Sequence, residues 1–263
     1  MDNEPKHRKR LNPGQLEVLE LLLKFRFGTT DLIAQALGKK NGTVIKSRLN
    51  ILREQKYIDR HYEGADRLQG KHAAYYLSAK GGRAVKSEDA RIIKRAYKDK
   101  KAGRSFIDHN LSIFATSCRL KAVYGDTIRF FTKTDLADYD YFPQPLPDAF
   151  LSYKGEDGTR RYFLNIFETA TPAFALNRQI KQLIDYNARG DWSATDSDFP
   201  AILIVCDTPV LQNRVEKRIL TSLHNADDTD DLVFATANWQ TLAASTKVWR
   251  LAGEDELLSL REL

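Results

Sequence analysis

Hydrophobic positions keep a helical period through the opening stretch of the chain. Leu16, Leu19, Leu22 and Leu23 mark the inward face of a helix that Asn12-Pro13 starts and Phe27-Gly28 breaks. Thr29 or Thr30 caps a second, short helix over Asp31 to Leu37, which Gly38 ends. Lys39-Lys40-Asn41-Gly42 then turns into a third. There Ile45, Leu49 and Leu52 form one apolar stripe within Thr43 to Glu54. At about 100° per residue, Thr43, Lys46, Ser47 and Asn50 fall on the opposite face. Two strand-like runs follow, Tyr57 to Tyr62 and His72 to Leu77, predicting a hairpin. The loop between them, Glu63 to Lys71, is polar and holds Gly64, Arg67, Gly70 and Lys71. Three short helices, a tight turn before the third and then a hairpin give the order of a winged helix-turn-helix. The bland alternative is a solvated amphipathic helix followed by a surface hairpin.

Beyond Ser78 to Gly82, which should open another short helix, the chain from Ser87 to Arg104 is densely charged. Arg91, Lys94, Arg95, Lys98, Lys100 and Lys101 surround a thin apolar stripe of Ile92, Ile93 and Tyr97. This reads as a linker helix that either extends a basic surface or is simply solvated.

The pattern then changes. Phe106 to Tyr124 is helical through Ile107, Leu111, Phe114 and Leu120, and Thr127 to Thr132 is a strand. Asp135 to Pro147 is a loop. Ala149 to Tyr153 and Arg161 to Glu168 are strands joined by the turn Lys154-Gly155-Glu156-Asp157-Gly158. A helix from Thr171-Pro172 runs to about Asn187, and Ala201 to Cys206 is a continuous apolar run, a buried central strand. A helix over Val210 to His224 and strands at Leu232 to Ala235 and Lys247 to Leu251 complete the order α-β-β-β-α-β-α-β-β. The expectation is an α+β/α/β chain of two domains. A basic arm (1–10) precedes a winged helix (11–86), a charged linker helix (87–105) and a mixed α/β domain (106–263).

Charge sharpens this division. Residues 1 to 106 hold 25 Lys+Arg against 12 Asp+Glu, a net +13, while the remainder holds 16 against 23, a net −7. Only the first half is built to sit near a polyanion. Short hydrogen-bonding groups and a cation on one helix face are what base edges and phosphates require. Thr43, Lys46, Ser47 and Asn50 are therefore the candidate major-groove contacts. Lys39, Lys40, Arg67 and Lys71 are candidates for phosphates, with Arg53 joining the set. Lys6, Arg8, Lys9 and Arg10 of the arm either touch phosphates or solubilise the chain.

No apolar run approaches the roughly 20 residues of a membrane span. The polar, basic N-terminus is not a secretory signal. Cys118 and Cys206 each sit in an apolar run, the pattern of buried thiols in a reducing cytoplasm. No Cys/His spacing fits zinc. His109 has only Ser112 near it and makes no nucleophile–base pair. Lys80-Gly81-Gly82 lacks the length and the Ser/Thr of a phosphate loop. The acidic run from Asp227 to Asp231 has the wrong spacing for calcium and reads as a solvated turn.

In the second half, Pro147-Asp148 opening one strand and Glu168 closing the next resemble the restriction-endonuclease-like core of the PD-(D/E)XK superfamily. That resemblance implies Mg²⁺ held by Asp148 and Glu168, with a lysine two residues past the second carboxylate. That position holds Ala170. Lys181 or Arg178 could reach back from the following helix, and Gln182 with Tyr186 resembles the Gln-X₃-Tyr of some such nucleases. Otherwise Asp148 caps a strand start and Glu168 pairs with a local cation.

Several separated segments resemble one family, the replication-relaxation proteins of plasmids and other mobile elements. They are the leucine-rich first helix with Phe25-Arg26-Phe27-Gly28-Thr29-Thr30, Tyr75 to Gly81, and Asp108-His109-Asn110-Leu111. Pro147-Asp148-Ala149, Phe167-Glu168 and Tyr186 continue the series. The resemblance covers roughly residues 11 to 206 and implies an N-terminal winged helix and a part in plasmid replication, DNA relaxation or mobilisation. The first expectation is a homodimeric protein that binds double-stranded DNA and needs no cofactor. Its α/β domain would dimerise or recruit replication or conjugation proteins. The alternative is a Mg²⁺-dependent DNA nuclease using Asp148, Glu168 and Lys181. A third reading is a transcription factor whose second domain senses a small ligand, although no polar cluster points to one.

Overall fold

The structure is a computed structural model describing residues 10–62, 64–68, 70–85, 89–227 and 229–263. Lys6, Arg8 and Lys9 of the expected arm and the Arg67 side chain lie outside the described residues. The chain divides into two units, Met1–Cys118 and Arg119–Leu263.

In the first unit, helix α1 (Pro13–Phe25) starts from a reciprocal cap. Gln15 N donates to Asn12 Oδ1 at 2.9 Å and Asn12 N to Gln15 Oε1 at 3.0 Å. Arg26 ends it with φ 69°. The next two residues form strand β1 (Phe27–Gly28), where the sequence predicts only a break. Helix α2 (Thr30–Ala36) is capped by Thr29, and α3 (Gly42–Glu54) by Asn41. Val18, Leu19, Ile33, Ile45, Leu49 and Leu52 are each 0% exposed, so the three helices share one core. Strands β2 (Ile58–His61) and β3 (Ala74–Leu77) form the expected antiparallel pair, and the sheet order is β1-β3-β2.

The polar loop between β2 and β3 differs from expectation. It contains a helical turn, α4 (Gly64–Leu68), held by Lys71 N donating to the Asp66 carbonyl and by the Arg104–Asp66 ion pair. Helices α5 (Ala79–Val85) and α6 (Ala90–Lys100) follow. The inward face of α6 is Ile92, Ala96 and Asp99, whereas Tyr97, expected in the apolar stripe, is 61% exposed. Asp99 is inward because Arg26 pairs with its carboxylate and His61 Nε2 donates to its carbonyl at 2.8 Å. Helix α7 (Arg104–Tyr124) carries the division between the units.

The second unit is a mixed α/β fold on a seven-stranded sheet of order β10-β9-β8-β7-β6-β5-β4. Its elements are β4 (Ile128–Thr132), α8 (Lys133–Leu136), β5 (Ala149–Gly155), β6 (Gly158–Phe167), α9 (Ala173–Ala188), β7 (Ala201–Cys206), α10 (Pro209–His224), β8 (Phe234–Asn238), β9 (Trp249–Leu251) and β10 (Leu257–Leu258). Pairs β4–β5 and β5–β6 are antiparallel, while β6–β7 and β7–β8 are parallel. The β5–β6 hairpin turns more tightly than predicted, at Gly155↔Gly158. Parallel strands need crossovers, and α9 and α10 supply them. Both helices pack on one face, meeting Phe163, Phe167, Ile202, Ile204 and Cys206. Ile202 to Cys206 are fully buried, as the unbroken apolar run predicts. Helix α10 is fastened to the sheet by a polar network in which Gln212 donates to Thr236, Thr236 to Glu216, and Arg250 to both Glu216 oxygens.

Candidate functional site

Helix α3 presents the predicted surface. Its stripe of Ile45, Leu49 and Leu52 is fully buried, which turns the opposite face outward. Thr43, Lys46 and Ser47 are exposed there, while Asn50 and Arg53 are half-buried. Lys39 and Lys40, in the preceding turn, are exposed, and Lys71 is half-buried next to β3. Two apolar residues share the exposed side, Val44 at 51% and Ile51 at 39%. The remaining cation of α3 is used differently. Arg48 turns back to α1, donating to the Gly14 carbonyl at 3.1 Å and to Glu17 at 3.4 Å.

The second set of candidates lies where β5 begins. Asp148 is 4% exposed, and both carboxylate oxygens have donors. Lys133 Nζ lies 2.8 Å from Oδ1, and the Ile166 backbone N–H lies 2.8 Å from Oδ2. Lys133 comes from α8, which starts at a capping box between Thr132 and Asp135, with Thr132 N donating to Asp135 Oδ2 at 2.7 Å. The lysine that meets Asp148 is thus Lys133, which no motif in the sequence singles out. Lys181 and Arg178 are exposed on α9, whose inward face is Leu176, Ile180, Leu183, Ile184 and Tyr186.

Strand register decides what faces Asp148. The β5–β6 ladder starts at Ala149↔Leu164, and Asp148, just before it, accepts from the Ile166 N–H, which puts it beside the neighbouring Asn165 of β6. Glu168 stands three positions later, half-buried beyond the end of β6, its backbone carbonyl accepting from Thr171 N at 2.8 Å. Asn165 is 6% exposed, and its Nδ2 has no hydrogen-bond partner. Gln182 Oε1 is likewise buried and unpartnered.

The rise of helix and strand from one ring contact puts these two amides at about the same height along β6. Helix α9 links two parallel strands and so runs against β6, and the Tyr186 and Phe163 rings meet at 6.2 Å. One helical turn back from Tyr186 is Gln182, and two residues on from Phe163 is Asn165. Tyr186 donates its hydroxyl to the Tyr141 carbonyl, and burial pushes its pKa up to about 12.

A divalent cation does not fit this donor set. Hard cations take several oxygen ligands, carboxylates foremost. Here one carboxylate is already paired with an ammonium and a backbone N–H, and the β6 residue next to that N–H is an amide, Asn165. Among the described residues, no group of three or more His, Cys, Asp or Glu could hold a metal ion. Nor is any helix of the described residues long and apolar enough to cross a membrane.

Comparison with known proteins adds a family. The family model described as replication-relaxation matches residues 19–202. No curated protein matches the chain. Among solved structures, the chain is similar to restriction endonuclease FokI with TM-score 0.35 and 11% identity, over 88% of this chain and 43% of that one. The chain therefore spans less than half the length of that protein.

Proposed function

The chain belongs to the replication-relaxation family, and from that membership and its basic first unit we propose a double-stranded DNA-binding protein acting in replication, relaxation or mobilisation of a plasmid or other mobile element, or in its transcriptional control. The first unit is read as a winged helix with α3 in the major groove. Thr43, Lys46, Ser47 and Asn50 would reach base edges, and Lys39, Lys40, Arg53, Arg67 and Lys71 phosphates. One observation carries this reading. A helix with a fully buried apolar stripe turns an exposed cationic and hydrogen-bonding face outward, within a segment of net charge +13 over residues 1–106.

The α/β part carries the opposite charge, −7 over residues 107–263, and is unsuited to a polyanion. It is read as an endonuclease-like scaffold that dimerises or recruits replication or conjugation proteins. The division into 11–86, 87–105 and 106–263 belongs to the same reading. So does a cytoplasmic setting, which the buried thiols of Cys118 and Cys206 suit.

The test is a titration of labelled duplex at several salt concentrations. Phosphate neutralisation makes log K fall against log salt with a slope of about −0.9 per contact. A steep slope is expected, and a flat one removes the reading.

A further inference from the structure

We infer that Lys133 is the resident counter-ion of Asp148, its ammonium standing where a divalent cation would have to bind, so that the adjoining ends of β5 and β6 take neither Mg²⁺ nor Mn²⁺.

A carboxylate as buried as Asp148, 4% exposed, keeps its charge only if a cation and hydrogen-bond donors replace water. The chain supplies both. Lys133 Nζ lies 2.8 Å from Oδ1 and the Ile166 N–H 2.8 Å from Oδ2, so each oxygen meets a donor. The ammonium is itself half-exposed at 49%, so pairing with Asp148 leaves much of it in water. A divalent ion bound to the same carboxylate would sit beside this ammonium, and the like charges would repel.

The surroundings give no compensation. Mg²⁺ needs near-octahedral oxygen ligation at about 2.0–2.1 Å, drawing on one or two carboxylates. Asn165 precedes Ile166, whose N–H meets Asp148, and its unpartnered atom is Nδ2, a donor with no lone pair to offer a metal. The buried, unpartnered oxygen of Gln182 on α9 is neutral as well. Asn165 thus brings no negative charge beside Asp148. The capping box at Thr132 and Asp135 places Lys133 by backbone geometry, so the pair belongs to the folded chain.

The experiment uses the full chain and two readouts other than activity. Mn²⁺ is titrated to millimolar concentration and followed by electron paramagnetic resonance, and thermal midpoints are compared in EDTA and in excess Mg²⁺. Wild type, Lys133→Ala, Lys133→Arg, Asp148→Asn and the double variant Lys133→Ala/Asp148→Asn are measured, each checked for retained far-ultraviolet dichroism. The wild type is expected to leave the Mn²⁺ signal that of the free ion and to melt at the same temperature in EDTA and Mg²⁺. Lys133→Ala should melt several degrees lower, because it strands a buried carboxylate. Lys133→Arg should lose less, and Asp148→Asn added to Lys133→Ala should recover much of the loss. One Mn²⁺ bound per wild-type chain and lost in Asp148→Asn overturns the inference. So does a Lys133→Ala protein as stable as wild type. If Lys133→Ala does not fold, recovery of folding in the double variant supports the pairing, and failure of the double variant as well counts against it.

Discussion

The Arg48 guanidinium occupies the space over Gly14. It donates to the Gly14 carbonyl at 3.1 Å, and a Cβ placed on Gly14 would lie 2.3 Å from Arg48 Cζ. Glycine early in α1 thus serves as the seat for a side chain from α3. Two substitutions should then couple. In the wild type, Gly14→Ala must push the guanidinium away, so its better helix propensity is offset. In an Arg48→Ala background the same change should stabilise by up to about 1 kcal/mol, the helix propensity difference. Arg48→Ala alone should cost about 1 kcal/mol, since the side chain is 24% exposed and water screens the Glu17 pair. Urea midpoints of the four proteins give the coupling, and strict additivity would remove it.

Gly81 meets a neighbour that cannot move aside. A Cβ there would lie 2.0 Å from the Tyr57 carbonyl oxygen. That same oxygen accepts from Ser78 N at 3.0 Å and Ser78 Oγ at 2.9 Å, which ties the start of α5 to the entrance of β2. Gly81→Ala should therefore cost about 1–3 kcal/mol, as overpacking does. Gly103→Ala is the control, having nothing within 4 Å of its Cβ position. Equal denaturation midpoints for the two variants would contradict the close approach.

Tyr76 and Tyr186 contribute to the alkaline limit. Burial is the main cause raising both to about 12 from 10.0, with Asp59 adding to Tyr76. Both folded values lie above the unfolded one, so between pH 10 and about 12 the native state holds more protons than the unfolded chain. The stability these phenols contribute is fully present below pH 10 and is lost as pH rises through about 12. Urea midpoints across that range should fall, and Tyr76→Phe and Tyr186→Phe should each flatten the fall. A fall of unchanged steepness in both variants would assign it to other groups.

Elements carried by local periodicity were legible in advance. The apolar stripe of α3, the caps Asn12 and Thr29, and the unbroken run of β7 are properties of a few adjacent residues. In α1, by contrast, the expected Leu16 and Leu23 are only half-buried, and Val18 and Phe25 join Leu19 and Leu22 on the inward face. What escaped depends on distant partners. Strand β1 is two residues long and exists through its ladder to β3. Helix α4 is held by Arg104, and Asp99 turns inward because Arg26 and His61 meet it there. The site at Asp148 follows the same rule. Proline-aspartate at a strand start was readable, but its partners Lys133 and Ile166 are set by a helical turn and a strand register. A one-residue change of register alters which side chain faces which.

The division of labour along α3 makes the sharpest test of DNA binding. Lys46 and Asn50 both lie away from the buried Ile45–Leu49–Leu52 stripe, but their chemistry differs. A lysine ammonium neutralises phosphate without regard to sequence, so Lys46→Ala should weaken binding to every duplex and shrink the salt slope by about 0.9. An asparagine amide can pair bidentately with adenine, so Asn50→Ala should erase about 1–3 kcal/mol of discrimination at one base pair while leaving the slope unchanged. Arg161→Ala, an exposed cation on β6 of the other unit, should alter neither quantity. Binding constants for a selected site and for single-base variants, each at several salt concentrations, separate the outcomes. If Arg161→Ala reduces the slope as much as Lys46→Ala does, the contact surface extends to the second unit and α3 loses its special place.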